Sequence, residues 1–131
     1  MDLKIIIIFS TVLTIIDLIW IDVVNVNLWR DHVLAIQKSP LEIRPVYGAL
    51  SYLFIIFAGL YFVQTNTNKM NYKYNSLVNG FLLGLSLYAV YDFTALAILK
   101  DYRLDIAIMD MIWGGVLMAS SLYATNYYIY G

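Results

Sequence analysis

Apolar residues gather along this chain into four long runs, 3–28, 46–63, 77–99 and 104–129, separated by short polar breaks. A helix needs about 20 mostly apolar residues to cross the hydrocarbon core of a bilayer, and each run reaches or approaches that length. Inside lipid the backbone has no water to bond, so each run has to close its own hydrogen bonds as an α-helix. The pattern predicts an all-α fold, an integral membrane bundle of four transmembrane helices in a single membrane domain over 1–131. The breaks carry turn chemistry: Trp29 to Arg44 with Ser39-Pro40 and Arg44-Pro45, then Gln64 to Asn75, then Lys100-Asp101-Tyr102-Arg103. Pro45 stands where a helix can begin. The opening Met1-Asp2-Leu3-Lys4 and Ile5 to Ile8 have the look of a secretory signal, yet the apolar run is too long and no small-residue cleavage pattern follows. It reads as a retained first span.

Periodicity within the runs assigns faces. At about 100° per residue, Ser10, Thr14, Asp17, Ile21 and Asn25 form one stripe on the first helix. On the third, Ser76, Gly80, Gly84, Tyr88 and Asp92 recur every four residues, and small residues so spaced let helices approach closely. Asp110 and Gly114 share a face with Ser121 and Thr125 on the fourth, as do Gly48, Tyr52 and Gly59 on the second. Asp17, Asp92 and Asp110 are therefore expected to face protein. Asp22, rotated by about 140° from Asp17, is expected to face a neighbouring subunit.

Composition sharpens this picture. With 62% apolar and 13% charged residues, the chain has more apolar surface than it could bury alone, and lipid has to cover the rest. A net charge of -1 without a basic cluster excludes nucleic acid as a partner. There is no cysteine, so no thiolate chemistry arises. The single histidine, His32, follows Asp31 in what reads as the first loop and is expected on the surface. No phosphate-binding glycine loop, Ser–His pair or HExxH pattern occurs. No cofactor is expected, and enzymatic activity, though open, is not favoured.

Arg30, Lys38, Arg44, Lys100 and Arg103 fall on the side of the first and third loops, against Lys4, Lys69 and Lys73 on the other. The bias places the first and third loops in the cytoplasm and both termini opposite. Tyr61, Phe62, Tyr72, Tyr74, Tyr123, Tyr127, Tyr128 and Tyr130 collect at the span ends on the side of the termini, as an interfacial aromatic belt does.

A charged side chain near the bilayer centre costs about 2.5–3.5 kcal/mol on insertion scales, so such residues usually face protein or water and carry function. Four are candidates here, Asp17, Asp22, Asp92 and Asp110, and no central Lys or Arg pairs with them. Asp22 lies eight residues before Arg30, Asp92 eight before Lys100, Asp110 seven after Arg103 and Tyr52 eight after Arg44. That sets all four about 10–12 Å in from one face at about 1.5 Å per residue, with Asp17 about 20 Å in. Close carboxylates cannot all ionise without a proton or a cation among them. Trp20, Asn25, Tyr52, Tyr88, Tyr91, Thr94 and Trp113 are the polar and aromatic side chains expected to support them.

Asp17-Leu18-Ile19-Trp20, Tyr91-Asp92-Phe93-Thr94 with Leu99-Lys100, and Asp110-Met111-Ile112-Trp113-Gly114 occur in this order with short loops between them. The set resembles the small membrane family designated domain of unknown function 2177, over essentially the whole chain. The resemblance implies four membrane helices and brings no assigned activity. Ala95 stands where the family usually has Asn, and Asp22 where it usually has Gly.

Three functions follow as expectations. The first is a proton or monovalent-cation channel or transporter, with Asp92 and Asp110 as the titrating or coordinating pair and Asp17 continuing the path. A bundle of four helices is thin, so a pore calls for a homo-oligomer. The second is a structural or accessory subunit without transport activity, its aspartates only locking helices together. The third is a membrane-embedded lipid enzyme holding Mg²⁺ on its carboxylates, against which stands the absence of a local DxxD spacing on one helix.

Overall fold

The computed structural model describes the backbone of residues 1–131 and all side chains except those of Val24 and Asn25. Asn25, expected on the polar stripe, thus has its side chain outside the described residues. No strand occurs among the described residues, and four helices are long and apolar enough to cross a membrane: Leu3–Val23, Pro45–Asn66, Tyr72–Ile98 and Leu104–Tyr130. They are called the first to fourth spans below.

The first helix does not stop where its apolar run does. The α-helix Leu3–Ile19 passes through a π-helical stretch, Trp20–Asn25, into a further α-helix, Val26–Gln37. At about 1.5 Å per residue the whole is about 50 Å long, against a hydrocarbon core of about 30 Å. Its last turns therefore reach past the core and pack beside the third loop. The expectation of a loop from Trp29 to Arg44 is corrected accordingly. The polar residues that read as a break are one side of an amphipathic helix: Arg30, Asp31 and Leu34 are exposed, while Trp29, His32 and Ile36 turn inward. The helix ends at Lys38, whose φ of 61° is left-handed. Gln37 Nε2 donates to the carbonyls of Ser39 and Pro40 at 3.1 and 2.9 Å and holds the chain turned there.

The fourth span is the centre of the bundle, with 56% of its apolar window buried against 17% for each of the others. It packs most extensively on the third span, and the small-residue stripe explains why. A Cβ on Gly84 would collide with the Gly114 carbonyl oxygen, and one on Gly80 would stand 2.9 Å from Leu122 Cδ1. The two backbones meet because these positions carry no side chain. Gly59 on the second span likewise leaves room for Phe9 and Met118.

Apolar packing divides into two clusters along the bundle axis. Phe9, Leu13, Val63, Leu117, Met118 and Leu122 fill the half nearer the termini. Ala95, Tyr102, Ala107 and Met111 form the other, with Trp29 and Ile36 of the extended first helix laid against them. Lys38 Nζ and Asp101 Oδ2, 3.9 Å apart, join the first and third loops at that end.

Candidate functional site: two carboxyl centres and an amide knot

Asp17 is the hub of three spans. Its Oδ2 accepts from the Tyr52 hydroxyl of the second span at 2.5 Å, and its Oδ1 accepts from Trp113 Nε1 of the fourth at 2.9 Å. Trp20, one turn along the first helix, stacks on Trp113 with ring centroids 4.3 Å apart and planes 7° from parallel. Both carboxyl oxygens thus have a donor, and the indole donating to one of them is clamped by the stack. The two DxxW sequences, which echo each other on antiparallel helices, supply the aspartate from one helix and the indole from the other.

Asp92 is the second centre. Its side chain is fully buried, and Oδ1 accepts from the Tyr102 hydroxyl at 2.8 Å. Its Oδ2 has no hydrogen-bond partner among the described residues. Asp110, on the fourth span, is the nearest carboxyl neighbour of Asp92, with no hydrogen bond between them among the described residues. Tyr88, on the third span, packs its ring over Gly114 of the fourth and lines the same cleft as Asp110. Tyr91 lines the outer approach to Asp110.

The phenol of Tyr102 continues toward the end of the bundle. Its ring meets His32 edge-on at 4.6 Å, and His32 meets Trp29 at 5.4 Å. His32 is 2% exposed, with neither ring nitrogen bonded to a described residue. Its expected place on the surface is therefore corrected, because the helix that was read as loop buries it one turn from Trp29 and Ile36. Burial and the nearby Arg103 hold His32 below the usual histidine value, outweighing Asp105 and Asp92. Burial and the Asp92 bond push the Tyr102 phenol well above its ordinary value. A cavity of about 150 Å³ borders His32, Tyr102, Tyr91 and Gln37.

A third polar knot lies near the termini. Gln64 and Asn126 bond reciprocally at 2.7 and 2.9 Å, and Asn126 also donates to Ser76 Oγ at 3.0 Å. The three residues are buried and tie the second, third and fourth spans.

The sequence-derived residues are thus distributed among several places. Asp92 and Asp110 come together; Asp17 joins Tyr52, Trp113 and Trp20. The level assigned to Tyr52 with Asp22, Asp92 and Asp110 fails in one respect, since Tyr52 bonds the supposedly deeper Asp17. A depth counted from Arg30 requires a loop residue there, and Arg30 is helical. Asp22 is exposed on the outer surface of the chain, and Thr94 is exposed with no side-chain hydrogen bond among the described residues. His32, Tyr102, Gln64 and Asn126 were missed. Trp29, His32 and Ile36, spaced three and four apart, were a readable signal for the first of these.

The fold and its centres define a small polytopic helical membrane protein with carboxyl groups held inside the bundle. The chain belongs to the family of predicted membrane proteins designated domain of unknown function 2177, which it matches over residues 3–127. No curated protein and no solved structure matches it.

Proposed function

We propose that the chain transports a monovalent cation, in the first place a proton, with Asp92 and Asp110 as the exchange point. The observation that carries this reading is a fully buried carboxyl beside a second carboxyl, with, among the described residues, no donor to one of its oxygens and no Lys or Arg paired with either group. Two such groups in the low dielectric of a membrane are compatible only with a proton or a cation between them. Tyr102, bonded to Asp92, and His32, whose ring meets that of Tyr102 edge-on, lead from this pair toward the first and third loops, the side richer in basic residues. Toward the termini the way is closed by Phe9, Leu13, Val63, Leu117, Met118 and Leu122. A packed half toward the termini and a cavity of about 150 Å³ at His32 and Tyr102 toward the loops fit a carrier that alternates better than an open pore.

Asp17 favours a second reading in part, that of a structural or accessory subunit, because both its oxygens are satisfied and it joins three spans. Asp17 is accordingly assigned to assembly and the Asp92–Asp110 pair to transport. Among the described residues no three acidic or histidine side chains converge as a metal site, so the geometry does not favour the Mg²⁺ enzyme. The test is collapse of an imposed pH gradient in proteoliposomes with the membrane potential clamped. Wild-type protein should dissipate the gradient and Asp110→Asn should not; wild-type vesicles as tight as protein-free ones would leave the structural reading standing.

A further inference from the structure

Between the second and third spans a cleft of about 420 Å³ is lined by Ser51, Phe54 and Ile55 on one wall and Leu87, Tyr88 and Tyr91 on the other. Trp29 and Asp110 complete the lining. The two spans meet through Gly59–Val63 at the far half, and the cleft occupies the half where they part. Phe54 and Tyr91 are 67% and 60% exposed, so the mouth opens sideways at the level of the apolar spans. Its volume falls within the range of small-molecule sites, about 300–1,000 Å³.

Charge and ring chemistry decide what could fill it. The lining holds four aromatic residues that can present a π-face or edge, Trp29, Phe54, Tyr88 and Tyr91, one carboxyl group, Asp110, and no Lys or Arg. Aromatic faces attract cations, and a carboxylate in an apolar cleft is costly unless a cation meets it. An anion would find no partner here, and a hydrated metal ion would lose its water against mostly apolar walls.

We propose that this cleft binds a hydrophobic monovalent cation, an organic ammonium or phosphonium bearing apolar or aromatic substituents, which enters from the lipid with Asp110 as its counter-ion. The inference rests on the transport reading in one respect: the bound cation takes the place of the ion joining Asp110 to Asp92, so uptake of one positive charge releases another. Ser51 offers the only hydroxyl of the second-span wall, and the exposed lip of Phe54 lets the cation enter without crossing water.

Tetraphenylphosphonium is a suitable probe because tetraphenylborate has its shape with the opposite charge. Equilibrium dialysis of purified protein in detergent, corrected for empty micelles, should give saturable binding of the cation and none of the anion. Asp110→Asn should weaken binding by at least about tenfold and Tyr91→Ala by about threefold. Leu87→Trp, which fills the cleft from its exposed wall and leaves Asp110 in place, should abolish binding while the helical circular dichroism stays unchanged. Equal uptake of both probes, or binding untouched by Asp110→Asn and Leu87→Trp, would overturn the proposal. Saturable cation binding by a protein that dissipates no pH gradient would sustain the cleft and overturn only the transport reading; gradient collapse without binding would do the reverse.

Discussion

Removal of the Tyr52 hydroxyl gives a direct measure of what Asp17 does. Tyr52→Phe deletes one of two donors to a carboxyl that is 7% exposed, leaving Trp113 Nε1 alone on Oδ1. Hydrogen bonds between membrane helices average about 0.6 kcal/mol with a maximum of about 1.7, and those to charged groups run to about 1.5–3. The 2.5 Å contact to a carboxyl belongs at the upper end, so a loss of about 1–2 kcal/mol is expected. Trp113→Phe removes the other donor while leaving a smaller ring stacked on Trp20, and should cost about 1–2 kcal/mol. The assay is equilibrium unfolding in mixed micelles of rising dodecyl sulfate content, followed by circular dichroism. The decisive comparison is a double-mutant cycle with Asp17→Leu, in which Tyr52→Phe should cost close to nothing because its acceptor is gone. An equal cost in both backgrounds would refute the assignment of Asp17 to assembly.

Other outcomes follow from the same geometry. Gly84→Val drives a side chain into the Gly114 carbonyl and should prevent folding or cost well over about 2 kcal/mol, whereas Gly48→Ala, with nothing within 4 Å of an added Cβ, should change the thermal midpoint little. Asn126→Leu strands the Gln64 amide and the Ser76 hydroxyl and should cost about 1–3 kcal/mol in the same unfolding assay. Because His32 is held below its ordinary value of 6.5 in the folded state, the unfolded chain takes up its proton first as pH falls. Stability should therefore drop from about pH 6.5 downward until the folded state titrates too, and His32→Phe should flatten that part of the pH profile of the thermal midpoint.

Much of this architecture was legible from residue order alone because membrane spans obey the strongest local constraint a chain meets, a long apolar run. The stripe Ser76, Gly80, Gly84 foretold a close helix crossing; that the fourth span is the partner came only from the structure. The facing of Asp17 and Asp92 into protein was likewise readable from their helical neighbours, whereas Asp110 is half-buried and lines the lateral cleft. What residue counting could not supply was the partner of each carboxyl. Tyr52 and Trp113 lie 35 and 96 positions from Asp17 and meet it only in the assembled bundle; the continuation of the first helix past Arg30 was hidden by its polarity. Gln64 and Asn126, 62 positions apart, meet only once three spans are assembled.

The central claim is that Asp92 and Asp110 work as one unit joined by a transferable ion. Infrared spectra of the carboxyl stretching bands, taken across a pH titration on protein with isotope-labelled aspartate, test it most directly. Asp110→Asn should shift or abolish the band of Asp92, and Asp92→Asn that of Asp110, while Asp22→Asn on the outer surface should alter neither. If each substitution removes only its own band and leaves the other residue's band and titration unchanged, the two carboxyls are independent and the account is contradicted.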